Sequence, residues 1–289
     1  MLQQAELRPR AALAPPVQVI AVTGGKGGTG KSSVAVNLAT GLTQAGRRTM
    51  LLDGDLGLAN LDVLLGLTPR STLEHVLRGE RRLEEIIVQT GSGVRVVPGA
   101  SGVAKLAMLS SSEQAGLIEA FSALPEPLDV LIVDTAAGIS DTVLQFCQSA
   151  QQVLVVLRDE PTSLTDTYAL IKVLSRQRGV RQFRVLANMT RNIGQGEAVF
   201  RRLQRVTDRY LTVSLDFVGE IPEDAALPRS VQAQRPVLEL YPSSPAAQAF
   251  RRLAHTACRW PLPLGPSGQL EFFFERLLTR PAPQLKVLK

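Results

Sequence analysis

Cysteine is almost missing from this 289-residue chain. The two present, Cys147 and Cys258, lie far apart and form no C-x-x-C pair. That excludes a disulfide framework and a cysteine-rich metal site, and it fits a reducing compartment such as the cytoplasm. No uninterrupted apolar run is long enough to span a bilayer. The N-terminus has no apolar signal-peptide core, and Pro9, Pro15 and Pro16 interrupt it. No internal repeat is visible. Lysine is scarce as well, with 6 against 26 arginines.

What is present points elsewhere. Hydrophobic residues make up 45% of the chain, enough for a true core in one large α/β domain or two small ones. The formal net charge of +6 suits contact with anions: a nucleotide, acidic lipid, nucleic acid or an acidic partner. Most individual arginines read as solvated.

Two of the lysines fall in one stretch, Gly24-Gly25-Lys26-Gly27-Gly28-Thr29-Gly30-Lys31-Ser32. An apolar run, Val17 to Thr23, precedes it, and Ser33 to Ala39 reads as the start of a helix. Strand, glycine loop and helix form the setting in which G-x-x-x-x-G-K-[ST], here Gly25 to Ser32, holds phosphate. Glycines let successive backbone N–H groups close around phosphate oxygens, and the positive end of the helix faces the same anion. Lys31 would reach the β- and γ-phosphates, the Ser32 hydroxyl would ligate Mg²⁺, and Ser33 would complete the cradle.

Apolar runs recur along the chain: Arg48 to Asp53, Val94 to Pro98, Leu128 to Asp134, Val153 to Leu157, Phe183 to Asn188 and Leu215 to Gly219. Helical patterns lie between most of them. This predicts an α/β fold, a mostly parallel twisted β-sheet with helices on both faces, whose ligand sits at the carboxyl ends of the strands. The polar residues ending those strands, Asp53, Asp55, Asp134, Asp159 and Asn188, are therefore expected to converge. Leu131 to Gly138 has the form of a Walker B strand followed by a switch: Asp134 would bind Mg²⁺ through water, and Gly138 would let the backbone swing toward a γ-phosphate. Asn188 ends a strand, where its amide can read an adenine edge. Asp224 caps the helix beginning near Ala225, contacts the base, or does both.

Lys26 is more than an ordinary phosphate loop needs. The form K-G-G-x-G-K-[ST] resembles the deviant Walker A loop of the MinD/ParA family. That resemblance implies an ATP-sandwich homodimer in which Lys26 acts in trans on the partner's nucleotide. It also implies slow, dimerisation-coupled ATP hydrolysis with ATP and Mg²⁺ bound. Asp53, Asp55 and Asn60 match the family's D-x-D-x-x-x-x-N. By resemblance Asp55 positions the attacking water and Asp53 helps organise the magnesium shell. The small residue between them, Gly54, departs from many relatives and is expected to loosen the loop. The family also places a segment like Pro222-Glu223-Asp224 against the adenine ring.

Further stretches resemble the flagellar-number regulators of that family, the FleN/FlhG branch: LLDGDLGLANLDVLLG at Leu51–Gly66, LDVLIVDTAAGI at Leu128–Ile139, DEPTSLTDTYALIK at Asp159–Lys172, FRVLANM at Phe183–Met189 and LEFFFERL at Leu270–Leu277. The branch implies antagonism of a FleQ-type enhancer-binding activator and work against an FlhF-type GTPase. The segment Gln3 to Arg8 is similar to an N-terminal element that stimulates that GTPase, but it lacks the Asp and is one residue shorter. Related readings are a MinD-type division-site regulator and a ParA-like partition ATPase. Arg201, Arg205 and Arg209 share one helical face, which reads as solvated or partner-binding rather than as a direct DNA contact. An electron-transfer iron protein would need a cysteine after Asp134, where Ala136 and Ala137 stand.

The expected organisation is an arm at 1–16, an ATPase domain at 17–260, and a Pro/Gly linker with an amphipathic helix at 261–289. In that helix Leu270, Phe273, Phe274, Leu277 and Leu278 share an apolar face, and Phe272 falls on the polar side. The face packs on the chain's own core or lies on a membrane surface; the two states combine if it is docked in the monomer and released in the dimer. The protein is then cytoplasmic, or peripheral at the inner membrane or cell pole.

Overall fold

The computed structural model describes residues 16–55, 59–99, 111–262 and 271–273. In chain order its elements are β1 (Gln18–Thr23), α1 (Lys31–Gln44), β2 (Thr49–Gly54), α2 (Leu61–Leu65), α3 (Leu73–Leu77), α4 (Leu83–Ile86), β3 (Val88–Gln89) and β4 (Arg95–Val97). Then come α5 (Ser111–Ser122), β5 (Val130–Thr135), α6 (Asp141–Ser149), β6 (Gln152–Leu157), α7 (Pro161–Arg178), β7 (Gln182–Thr190) and α8 (Gln195–Tyr210). The last are β8 (Ser214–Pro222), α9 (Ala226–Gln232), α10 (Val237–Leu240) and α11 (Pro245–Ala257).

The strands form one eight-stranded sheet in the order β3-β4-β2-β5-β1-β6-β7-β8. All neighbours are parallel except β3 against β4. The seven apolar runs all become strands. The short antiparallel β3 is an addition that its two residues could not announce.

Alternate side chains point to opposite faces, and both faces are covered. Ile20, Val22, Ile132 and Val156 pack under α1, α10 and α11. Val19, Leu52, Leu131 and Val133 face the other way, with Leu117 and Phe121 of α5. Ala21, Val155 and Val185 pack with α6, α7 and α8. Each fully buried Val, Leu or Ile contributes roughly 1.5–3 kcal/mol, so a strand buried along its whole length is held firmly. β1, β2, β5 and β6 are such strands. α1 is equally enclosed, with every residue from Val34 to Leu42 buried. The loop between β1 and α1 thus hangs between two rigid elements.

α8 is different. Val199, Phe200, Leu203 and Thr207 face inward, while Arg201, Arg205 and Arg209 are exposed. The edge strand β8 is irregular: Val185 pairs with Phe217 and Leu186 with Gly219, so Val218 is an extra residue. A second irregularity leaves Met189 of β7 unmatched, at φ 57°.

The end of α11 is pinned beneath the sheet. Gln18 Nε2 donates to the Ala257 carbonyl at 3.0 Å, and the Arg184 guanidinium stacks 4.5 Å over the Trp260 ring. Glu271 to Phe273 also return to the core. Phe272, expected on a polar side, is fully buried, and Phe273 is buried at φ 58°, outside a right-handed helix. Periodicity misplaced Phe272, whose N–H meets the Ser149 carbonyl and whose ring meets Phe121. Leu270, Phe274, Leu277 and Leu278 lie outside the described residues, as do the N-terminal arm from 1 to 15 and its Gln3–Arg8 element. Among the described residues no helix is long and apolar enough to cross a membrane.

Candidate nucleotide site

The sheet brings the predicted residues to one edge. α1 begins at Lys31 after Gly30, which has φ 86° and offers no side-chain cap. No acidic residue occupies its first turn. The first N–H groups of this helix therefore face the loop without a protein anion, as a phosphate site needs. Gly25 is fixed by space: a Cβ there would collide with the backbone of Asp166 and Thr167 in α7. Gly28, Gly30, Lys31, Ser32, Ser33 and Asn60 line a cavity of about 310 Å³ over this helix end. Gly27 has open space beside it, and Thr29 is buried, its hydroxyl donating to the Lys26 carbonyl at 3.3 Å.

Lys31 is buried. Burial lowers its pKa, and the nearby charges of Asp134 and then Asp55 oppose that shift. The ammonium and both carboxylates thus share one electrostatic site. Asp53 and Asp134 are register partners on β2 and β5. Asp134 is fully enclosed, and burial pushes its carboxyl up to about 8 against the Ser32 hydroxyl bond that lowers it. Its Oδ1 is buried without a hydrogen-bond partner. An orphaned acidic oxygen beside Ser32 fits a hydrated divalent cation. Among the described residues no group of three or more His, Cys, Asp or Glu could hold a metal alone. This suits Mg²⁺, which keeps waters and takes phosphate oxygens.

Asp53 has a second occupation. Its carboxylate accepts the N–H groups of Asp55 at 3.2 Å, Asn60 at 3.0 Å and Leu61 at 3.0 Å. Burial raises it to about 7, opposed by those three donors. Asp53 thus shapes the loop that carries Asp55. Gly54 is hemmed in: a Cβ there would meet Asp134, Val133 and Phe146.

The switch segment is attached to the phosphate loop. Gly138, at φ 94°, donates its N–H to the Gly24 carbonyl at 3.1 Å. Lys26 reaches away from the phosphate cavity: its Nζ donates to Glu160 Oε2 at 3.2 Å and to Thr162 Oγ1 at 2.9 Å. Glu160 and Thr162, at the start of α7, lie in the DEPTSLTDTYALIK stretch, where nothing in the sequence signals this contact. Asp159 does not converge with the others. It pairs with Arg202 and accepts from Gln195 Nε2 at 2.7 Å, holding α8.

A second cavity, about 670 Å³, opens beside the loop and includes Gly30, Asn188, Met189, Glu223, Asp224 and Val231 in its lining. Asn188 Nδ2 donates to the Thr29 carbonyl at 2.8 Å, so part of its amide supports the phosphate loop. Asp224 is a cap in the described fold. It accepts Ala226 N–H at 2.8 Å and Ala246 N–H at 3.0 Å, joining α9 to α11. Its burial would raise its pKa, but those donors and the Ser244 hydroxyl hold it below the usual carboxylate range. Glu223 pairs with Arg191 at 2.9 Å, and Pro222 ends β8. Met189, Val231 and the apolar walls of this cavity were missed in the sequence, where they carry no motif.

A parallel sheet, a glycine loop on a buried helix and two strand-end carboxylates define a P-loop NTPase. Residues 16–258 match the ParA family model, described as NUBPL iron-transfer P-loop NTPase. The chain belongs to this MinD/ParA family, whose activity is ATP hydrolysis. Within it, the likeness is to the FleN/FlhG branch. The chain is 55% identical over 267 residues to the antiactivator FleN of Pseudomonas aeruginosa, covering 92% of this chain and 95% of that protein. It is 33% identical to the flagellum site-determining protein YlxH of Helicobacter pylori, covering 90% and 89%. Among solved structures, the septum site-determining protein MinD of Pyrococcus horikoshii with Mg-ADP aligns at TM-score 0.68 and 28% identity, covering 84% and 97%.

Proposed function

We propose that this chain is a slow ATPase switch, active as an ATP-bound homodimer, that limits flagellar number by antagonising a FleQ-type transcriptional activator. The observation that carries the ATPase part is the unpartnered, buried Asp134 Oδ1 beside Ser32 and Lys31. The 55% identity to an antiactivator over nearly the whole chain supports the regulatory part. An FlhF-type GTPase and a membrane surface are further partners in this reading, with the cell pole or inner membrane as the site of action.

The loop N–H groups, Lys31 and Ser33 bind the phosphates, and Asn188, Pro222, Glu223 and Asp224 border the base. Mg²⁺, when bound, neutralises charge on the β- and γ-phosphates; Ser32 and Asp134, with Asp53 behind them, would hold it. Asp55 orients the attacking water. Catalysis here is positioning and charge stabilisation, with no strong general base required. Lys26 from the partner copy meets the developing charge. Its present pair with Glu160 is about a third exposed or more on both sides, so breaking it costs only about 0.2–1 kcal/mol. Gly138 must release Gly24 before its N–H can meet a γ-phosphate. Ile139, Ile193 and Val63 are exposed on loops and a short helix at the carboxyl ends of the strands, which suits a self-association face.

Light scattering without nucleotide, with ADP, and with ATP plus Mg²⁺ tests the switch. The expected result is a monomer that pairs only with ATP and stays paired in Asp55→Ala. Pull-down of a FleQ-type activator by the ATP form alone tests the partner. Salt-sensitive retention on random DNA instead would favour a partition ATPase.

A further inference from the structure

Gly54 ends β2, between Asp53 within the strand and Asp55 just past it. A Cβ there would lie 2.8 Å from the Asp134 carbonyl oxygen, 3.1 Å from Val133 Cγ1 and 3.2 Å from Phe146 Cε2. Phe146 is itself fully buried in α6. That helix begins just after the switch glycine: Ser140 caps it, accepting the Val143 N–H at 3.5 Å. At its other end the Ser149 carbonyl accepts the Phe272 N–H at 3.3 Å. The Phe272 and Phe121 rings meet edge to face, 5.5 Å apart. Phe146, Phe121, Phe272 and Phe273 belong to one cluster with Leu52 and Val133. A single helix therefore touches the switch, the carboxylate strand and the C-terminal segment.

We propose that Phe146 is a positioning residue for Asp53 and Asp55, and that Glu271–Phe273 holds α6, and with it Phe146, in the place this requires. The proposal rests on the ATPase reading above and deepens it. Asp53 is fixed by pairing with Asp134 and by its three N–H donors. Asp55 lies past the strand end, near Lys31, and the backbone that carries it leaves β2 through Gly54, the residue type with the widest backbone freedom. A ring packed on Gly54 removes that freedom. In a close-packed cluster the ring moves only with its helix. Any shift of α6 that nucleotide binding produces is then felt at Phe272, and the reverse.

The test is a cycle of Gly54→Ala, Phe146→Leu and the double variant in the full chain, with MgATP hydrolysis and melting measured together. Gly54→Ala is expected to lower kcat about tenfold with KM for ATP within about twofold, since a displaced water-orienting group slows turnover rather than binding. Adding Phe146→Leu should recover part of that loss, because the Asp134 carbonyl oxygen still meets the new Cβ, so the two effects are non-additive. Additive losses, or equal changes in kcat and KM, would overturn the role of Phe146. Phe272→Ala should lower kcat about threefold, the scale of coupling through packed elements. An unchanged kcat would remove the C-terminal segment from the proposal.

If Gly54→Ala does not fold, hydrogen exchange on Phe146→Leu and Phe272→Ala decides. The amides of Asp55, Asn60 and Leu61 should exchange faster, with those of β6 and β7 unchanged. Uniform acceleration, or none, overturns the proposal. A folded wild-type chain that hydrolyses no ATP would sink the ATPase reading, and the exchange result would still judge the positioning role by itself.

Discussion

At the phosphate end of the cleft, Lys31, Asp53 and Asp134 are buried among strand ends and a helix start. At the base end, Asn188, Met189, Glu223 and Asp224 border an open cavity of about 670 Å³. The first region has its titratable groups held in place before any ligand arrives. The second is made largely of residues with other duties: Asp224 caps α9, and Asn188 ties the phosphate loop. The contrast follows from the ligand chemistry. A triphosphate needs fixed cations and oriented N–H groups, whereas a flat base needs apolar walls and a few edge contacts.

The strongest way to break this comparison is Lys31→Ala. It removes the cation from a buried pair of acids, and ATP affinity should fall at least about 100-fold, or about 3 kcal/mol, by calorimetry. Unchanged affinity would sink the phosphate-loop assignment. Asp55→Ala should leave ATP affinity nearly intact and slow hydrolysis on the order of 100-fold in a single-turnover assay. Normal turnover would transfer the water-orienting role elsewhere.

At the base end the losses should appear in stability first. Asp224→Ala removes a cap and the tie to α11, lowering stability by about 1–2 kcal/mol in a melt. Its effect on ATP affinity should stay under about tenfold, because the walls remain. Collapse of affinity with an unchanged melt would reverse the comparison. Met189→Gly is expected to be nearly neutral for stability: relief of a left-handed backbone, roughly 1 kcal/mol, is offset by glycine's extra freedom in the unfolded chain. Calorimetry should show only a small drop in affinity from the lost wall.

The phosphate end was legible in the sequence because its physics selects residue types. Only glycine fits where Gly25 meets the α7 backbone, and only a buried cation serves at Lys31. The parallel sheet and its covered faces were equally legible from continuous apolar runs; the order of the strands was not. What stayed hidden depends on partners distant in sequence. Gly54 reads as a loose point until Phe146 is seen against it. Asp159 ends a strand like Asp134, yet its neighbours are Arg202 and Gln195. Asp224 left two roles open because capping and base contact favour the same residue. Phe272 was assigned to the wrong side because helical periodicity assumes that the helix continues, and the backbone at Phe273 does not.

The extra residue in β8 has a consequence for scale. Val218 interrupts the regular edge of the last strand, so that edge is a poor template for adding another. The proposed ATP-dependent pairing uses another surface. In that proposal a self-complementary contact at the nucleotide face would be consumed when two copies meet, leaving nothing to extend. For such a chain the paired form at low abundance rises with the square of the amount of protein. If the proposed homodimer is the signalling form, doubling the cellular supply would quadruple the signal, a steep dose response from an assembly that would stop at two.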